Sequence, residues 1–113
     1  ARYPFEIHIA PRKFVSDLAH LSEDVADAFP EIAKEVLLRL DGVFGIEMAY
    51  IAAWHQAPVR EGRDLLRLHW QMTSVRRAPG KLKYLAGSES AMGAFIMDVK
   101  PEDSAKQLRE VQL

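Results

Sequence analysis

A basic segment of the chain leads directly into a short turn that carries hydroxyl and carboxylate groups. Its four cations are Arg76, Arg77, Lys81 and Lys83. The turn is Gly87-Ser88-Glu89-Ser90, and no acidic residue lies between Asp64 and Glu89. Cationic side chains bind phosphate and a carboxylate accepts hydrogen bonds from sugar hydroxyls, so this segment suits a sugar phosphate. The alternative interpretation is a solvated basic loop followed by a helix that starts at Ser88.

Two histidines could serve a second kind of site. His55 and His69 lie in strand-like segments, and neutral imidazoles on neighbouring strands can share a metal ion. Without a third ligand the same residues also fit hydrogen-bonding roles, and Trp54-His55-Gln56 could place a polar group at a ligand. No nucleophile motif is present, because Ser88 lacks a G-x-S-x-G context and no His-x-His pair occurs.

The hydrophobic pattern predicts the first elements of the fold. Phe5–Ile9 alternates apolar and polar residues, as a half-buried strand does. Ser22-Glu23-Asp24 is typical of a helix start, and an apolar face then recurs with helical spacing. Pro30 predicts a kink or a restart within this helix. Gly42 or Gly45 is expected to end it.

Two more strands and two more helices are predicted downstream. Residues 48–55 and 65–73 alternate in polarity, and we expect them to form an antiparallel hairpin with a long polar loop. A short helix is predicted over residues 89–96, and another begins near Pro101, where proline suits an early helical position. The predicted fold class is therefore α+β, an antiparallel sheet with flanking helices.

Composition limits the possible classes of protein. The chain has 113 residues, 49% of them hydrophobic, which fits a single domain over residues 1–113 or part of one. The net charge of -1 argues against a general nucleic-acid binder, and the absence of cysteine excludes a disulfide scaffold. No apolar run approaches the roughly 20 residues of a membrane span. We expect a cytoplasmic protein, and the start at Ala1 suggests a missing N-terminal part.

Three motifs in order along the chain resemble the C-terminal half of galactose-1-phosphate uridylyltransferase. They are Trp54-His55-Gln56-Ala57-Pro58, Leu66-Arg67-Leu68-His69 and Lys81-Leu82-Lys83-Tyr84-Leu85-Ala86-Gly87-Ser88-Glu89. The resemblance covers nearly the whole chain. It implies a histidine-triad-like half, an antiparallel sheet with flanking helices, in an enzyme that forms a dimer of subunits with two related halves each.

The resemblance also implies a ping-pong transfer of UMP from UDP-glucose to galactose 1-phosphate. The nucleophile would be a histidine of a His-Pro-His motif in the N-terminal half. This chain carries no such motif. We therefore expect no catalytic residue in it and no activity without the N-terminal half. No cofactor is expected in this chain, and zinc is implied for the full enzyme at residues outside it.

By position in the third motif, the resemblance assigns substrate binding to four residues. They are Lys83, Tyr84, Ser88 and Glu89. Lys83 would meet phosphate and Glu89 would accept hydrogen bonds from sugar hydroxyls. Ser88 departs from the family, in which tyrosine is common at this position.

The resemblance further places His55 and His69 at two positions of a three-histidine structural metal site. They match its first and third positions, and Arg67 occupies the middle position, where a cation removes a ligand and repels the metal. We therefore expect this site to be absent or weak, with His55 and His69 as hydrogen-bonding residues of the core.

Two alternative functions stay open. The first is another reaction on the same superfamily scaffold, such as that of a nucleoside-polyphosphate phosphorylase. The second is a non-catalytic partner domain that completes a dimer or binds a sugar nucleotide.

Overall fold

Within residues 2–113, the fold consists of five short strands and three helices. The computed structural model describes residues 2–113. The strands are β1 (Phe5–Ile9), β2 (Ile51–His55), β3 (His69–Ser74), β4 (Arg76–Ala78) and β5 (Lys81–Leu82). The helices are α1 (Glu23–Phe44), α2 (Gly87–Met92) and α3 (Pro101–Glu110), with a 3-10 turn at Leu18–His20. Strand β3 lies between β1 and β2 and is antiparallel to both, while β4 pairs with β5 in a second sheet. The predicted α+β class is confirmed.

Helix α1 begins and ends where local signals predicted. It starts after Ser22, with Glu23 and Asp24 in its first turn, and Gly45 at a φ of 64° ends it. Glycine adopts this left-handed conformation without the steric cost that a Cβ atom would add. Pro30 lies inside the uninterrupted helix, so a restart at Pro30 is excluded.

The core lies between α1 and one face of the three-stranded sheet. Its buried side chains are Phe5, Leu40, Met48 and Met72. Phe29 of α1 packs on both tryptophans of the sheet, with ring centroids 4.7 Å from Trp54 and 5.5 Å from Trp70. Because side chains alternate along a strand, the opposite face of the sheet carries the polar set. The apolar strand faces predicted from the sequence are confirmed.

Helix α3 packs against α1 and fastens the N-terminal segment. The buried Ser104 hydroxyl donates to the carbonyl of Pro4 at 2.7 Å. The guanidinium of Arg39 in α1 donates to the carbonyl of Val111 at 3.3 Å, just beyond α3. The side chain of Val111 can pack closely on α1 at Gly42, because a Cβ atom there would lie 2.3 Å from Cγ1 of Val111.

Several element boundaries differ from the prediction. Strand β3 starts only at His69, because the backbone N–H of the buried Leu68 donates to the carbonyl of Val15 instead of pairing with β2. Helix α2 ends earlier than predicted, since Gly93 adopts a φ of 65°. The small β4–β5 sheet was not predicted, although its turn is the expected Pro79-Gly80 dipeptide.

The molecule is a flat slab with an open sheet face. Its extents are 40 × 39 × 21 Å and its radius of gyration is 15.8 Å, whereas a compact chain of this length has a radius of about 13 Å. Ile51, on the face opposite α1, is 72% exposed. The fold therefore presents a broad surface that this chain does not cover. Within residues 2–113, no helix is both long and apolar enough to cross a membrane.

Candidate functional site

Lys83 and Glu89 form an ion pair in the interior of the predicted binding segment. Nζ of Lys83 lies 2.6 Å from Oε1 of Glu89, and the two side chains are only 3% and 2% exposed. Lys83 directly follows β5, and its backbone N–H donates to the carbonyl of Val75. Glu89 is the third residue of α2, so the helix turns its side chain back toward the preceding segment.

Every polar group of this pair is satisfied inside the protein. The Lys83 ammonium also donates to the carbonyls of Ile96, at 2.6 Å, and Arg2, at 3.2 Å, which uses its three N–H donors. Glu89 accepts the backbone N–H of Ala86 at 2.7 Å and of Ile96 at 3.0 Å. The pair thus joins segments from four parts of the chain, and we call it the Lys83–Glu89 clip.

The clip keeps its carboxylate ionised. The hydrogen bond from Lys83, followed by those from the backbone N–H groups of Ala86 and Ile96, lowers the pKa of Glu89 to about 2 against the opposing effect of burial. The ring centroid of Phe95 lies 5.8 Å from Nζ of Lys83 and helps to cover it. A buried charge is tolerated only when it is paired and hydrogen-bonded, and both conditions hold here.

The other two predicted binding residues lie on the outside of the clip. Tyr84 is 82% exposed, and Ser88 is exposed in the first turn of α2. The four motif residues therefore come together, but they divide into a buried pair and an exposed pair. Substrate contact by Lys83 and Glu89 stays a prediction, since each already uses its hydrogen bonds internally.

A cavity of about 490 Å³ opens beside Tyr84, on the β4–β5 hairpin. It is lined by Arg77, Gly80, Lys81, Leu82, Tyr84 and Asp98. Arg77 forms an ion pair with Asp98. The basic segment is therefore not one patch: Arg77 and Lys81 face the cavity, whereas Lys83 is inside the clip. The spacing of these cations in the sequence does not predict which of them are exposed at the cavity and which is buried.

A second group of contacts holds the Trp54–Pro58 motif. The side-chain oxygen of Gln56 accepts the backbone N–H of Leu18 at 3.0 Å. Close by, Asp17 accepts a hydrogen bond from Nδ1 of His20 at 2.6 Å and forms an ion pair with Arg63. The His20 hydrogen bond, followed by that of Arg63, lowers the pKa of Asp17 to about 2. These contacts connect the segment between β1 and α1, which we call the linker, to the loop that follows β2.

Three histidines stack across the open face of the sheet. The ring centroids of His55 and His69 are 4.9 Å apart, and those of His8 and His69 are 5.2 Å apart. Nδ1 of His69 donates to the carbonyl of Arg67 at 2.9 Å, and His8 lies 3.2 Å from Glu6. The prediction that His55 and His69 belong to the core is wrong, because strand alternation places both on the open face.

The described residues do not fit a metal ion. Within residues 2–113, no group of three or more His, Cys, Asp or Glu side chains is arranged to hold one. His55 and His69 alone fall short of the tetrahedral donor set that a structural zinc ion takes, and Arg67 adds a cation rather than a ligand.

A larger cavity of about 670 Å³ lies between the linker and α1. Its lining is mainly apolar and includes Phe14, Phe29 and Trp54. None of the four motif residues reaches it, so it is separate from the candidate site.

Solved uridylyltransferases share this architecture. The chain superposes on one uridylyltransferase structure with a TM-score of 0.89 and 34% identity, covering 98% of this chain and 35% of the other. It superposes on a galt-like protein from Arabidopsis thaliana with a TM-score of 0.84 and 29% identity, covering 100% and 36%. The class defined by fold and sequence is therefore that of the uridylyltransferases.

Curated relatives of this chain have more specific names. A galactose-1-phosphate uridylyltransferase of Thermotoga maritima is 35% identical over 100% of this chain and 36% of its own length. That of Streptomyces lividans is 36% identical over 98% and 34%, and an ADP-glucose phosphorylase of Arabidopsis thaliana is 32% identical over 100% and 31%. No family model matches the chain.

The chain spans about a third of the length of the curated relatives it matches. Over its whole length it corresponds to the C-terminal part of galactose-1-phosphate uridylyltransferases, and the resemblance inferred from its motifs is confirmed.

Proposed function

We propose that this chain is the C-terminal portion of a hexose-1-phosphate uridylyltransferase and supplies part of its hexose-phosphate-binding surface. Similarity to galactose-1-phosphate uridylyltransferases along the whole chain supports this proposal. The observation that carries it is the Lys83–Glu89 clip, which leaves Ser88 exposed and Tyr84 exposed beside a basic cavity. A sugar phosphate matches this surface, because its anionic end suits the cations and its hydroxyls suit the phenol and the serine.

In the proposed reaction, a histidine attacks the α-phosphorus of UDP-glucose and glucose 1-phosphate leaves. The uridylylated histidine then transfers UMP to a phosphate oxygen of galactose 1-phosphate. None of the four histidines of this chain lies in a His-Pro-His motif, so we assign the nucleophile to the remaining polypeptide. This chain holds the hexose 1-phosphate, first as leaving group and then as acceptor.

The four motif residues take different parts in this binding. Tyr84 and Ser88 are exposed and contact the sugar. Lys83 and Glu89 act as positioning residues in the arrangement described, because their hydrogen bonds fasten the turn between β5 and α2. Loss of the clip would move both exposed residues, so their effect on substrate affinity would be indirect.

The open sheet face is the proposed contact surface for the remaining polypeptide. Ile51 is largely exposed there, and the slab is too thin to bury both faces of its sheet. A dimer, zinc bound outside this chain and a cytoplasmic location complete the proposal.

A second candidate is phosphorolysis of a nucleoside-diphosphate sugar. The relative named ADP-glucose phosphorylase favours it, since that protein is similar over the whole of this chain. Inorganic phosphate would then replace galactose 1-phosphate as the acceptor. The cations beside Tyr84 suit either acceptor, so the choice of substrate distinguishes the two candidates.

Reconstitution tests the proposal. The chain is mixed with a polypeptide that carries the first two thirds of a transferase, including His-Pro-His. UMP transfer from UDP-glucose to galactose 1-phosphate is measured, and phosphorolysis of ADP-glucose is measured in parallel. We expect uridylyl transfer in the mixture and in neither component alone.

Other outcomes would contradict the proposal. Phosphorolysis without uridylyl transfer would favour the second candidate. A complex that forms but catalyses neither reaction would favour a non-catalytic partner domain.

A further inference from the structure

The β4–β5 hairpin holds its two cations in defined positions at one cavity. Gly80 adopts a φ of 69°, which only glycine accepts easily, and the tight turn pairs Ala78 with Lys81. Arg77 and Lys81 line the cavity from the two strands. The side chain of Arg77 is further fixed by its ion pair with Asp98. The cavity is thus a built feature rather than a mobile basic loop.

The lining of this cavity carries a net positive charge, with two cations and one carboxylate. Asp98 is the one carboxylate among the described lining residues, and it is engaged by Arg77. Lys81 forms no ion pair within residues 2–113. A guanidinium carries five N–H donors, so Arg77 retains donors beyond those that Asp98 uses. Arg77 and Lys81 can therefore both donate to a further anion.

Lys83 differs from Lys81 in this respect. Its ammonium is 3% exposed and already donates to Glu89, Arg2 and Ile96. To meet a phosphate it would have to leave a buried carboxylate unpaired, which is costly. Lys81 makes no such demand, because it is exposed at the rim of the cavity.

We propose that this cavity binds the phosphate group of a phosphate monoester through Lys81 and Arg77, with Tyr84 alongside. The inference rests on the proposed function, since it identifies Lys81 rather than Lys83 as the phosphate-binding cation of the hexose 1-phosphate. Tyr84 belongs to both the cavity and the outside of the clip. It therefore connects the phosphate end of the ligand to the hydroxyl-bearing turn at Ser88.

Titrations followed by backbone amide NMR test the inference on the 113-residue chain. The probes are galactose 1-phosphate, inorganic phosphate and galactose, the last as a control without phosphate. We expect the two phosphates, but not galactose, to shift amide signals of residues 77–84. Tighter binding of galactose 1-phosphate than of inorganic phosphate would show that the sugar adds contacts, and equal binding would show that phosphate alone is recognised; both results support the site.

Lys81→Ala is the decisive variant, with Lys34→Ala on α1 as a control that removes the same charge. Loss of one charge-assisted hydrogen bond predicts that Lys81→Ala weakens phosphate binding about tenfold or more, whereas Lys34→Ala changes it less than about twofold. Unchanged affinity in Lys81→Ala, or amide shifts confined to another region, would overturn the inference.

Reconstituted transfer activity separates this inference from the proposed function. Activity that is insensitive to Lys81→Ala would leave the function standing and remove the phosphate site. Phosphate-dependent shifts at the hairpin without transfer activity would keep the site and remove the function.

Discussion

Nζ of Lys83 and Oε1 of Glu89 are 2.6 Å apart, and both side chains are almost completely buried. The pair makes four further hydrogen bonds, all to the backbone. Lys83 donates to the carbonyls of Arg2 and Ile96, and Glu89 accepts from the N–H groups of Ala86 and Ile96. Under the proposed function, loss of this pair would therefore affect both the stability of the fold and the positions of Tyr84 and Ser88.

Acid should weaken the fold through Glu89. Its pKa falls from the ordinary value of 4.5 to about 2 on folding, first because of the hydrogen bond from Lys83. A lowered folded-state pKa adds stability above the unfolded-state value, and that stability is lost as the pH falls from 4.5 to about 2. Thermal unfolding of Glu89→Gln should show a lower midpoint at neutral pH and a weaker dependence on acid.

Asp17 makes a separate contribution to the loss of stability in acid. Its pKa falls from 3.8 to about 2, with the His20 hydrogen bond as the largest cause, so its contribution is lost over an overlapping range. Asp17→Asn should remove a separate part of the acid dependence, and the two variants together should remove more than either alone. If Glu89→Gln lost as much stability in acid as the wild type does, the acid dependence could not be assigned to the Lys83–Glu89 clip.

Gly42→Ala should have opposite effects in two backgrounds. A Cβ atom at this position would lie 2.3 Å from Cγ1 of Val111, whose branched side chain rotates poorly. We expect Gly42→Ala to destabilise the wild-type chain. In a Val111→Ala background the clash is gone, and the better helix propensity of alanine should stabilise the chain by up to about 1 kcal/mol. Urea unfolding of the wild type, the two single variants and the double variant measures these effects. Stabilisation by Gly42→Ala in both backgrounds would contradict the close approach of Gly42 to Val111.

Ser104→Ala should lower the free energy of unfolding by about 1–3 kcal/mol, because it leaves the buried carbonyl of Pro4 without its 2.7 Å hydrogen bond. Ser90→Ala is the matched control. Its hydroxyl also donates to a backbone carbonyl, that of Ala86 at 2.8 Å, but it is exposed to water. The control should change stability by less than about 0.5 kcal/mol. Equal losses of unfolding free energy in the two variants would show that burial of the Ser104 hydrogen bond does not increase its contribution to stability.

Tyr84→Ala should impair the reconstituted transferase without affecting the fold. Loss of one contact worth about 1.4 kcal/mol predicts a tenfold rise in KM for galactose 1-phosphate. The midpoint of thermal unfolding should stay unchanged, because Tyr84 is 82% exposed. Met92→Ala, at a residue 81% exposed at the end of α2, is the control and should alter neither quantity. A rise in KM for both variants would point to a general surface effect.

Local sequence determined much of the secondary structure. The limits of α1 follow from Ser22, the acids of its first turn and Gly45, which act on the backbone beside them. The apolar alternation of residues 66–72 correctly identified the buried face of β3, because a strand places alternate side chains on opposite faces. The three motifs that end at Glu89 together carried the resemblance that the comparisons confirm.

Tertiary structure alone decided how the charged residues are used. Spacing placed Lys83 and Glu89 near each other, but it could not show that the carbonyl of Arg2, some eighty residues earlier in the chain, arrives to complete the set of partners. Nor could it show that the ring of His69 stacks on both His55 and His8 across three strands. A charged group binds whichever partners lie nearest when water is excluded. Its role therefore depends on which distant backbone groups the fold brings to it and on how deeply it is buried.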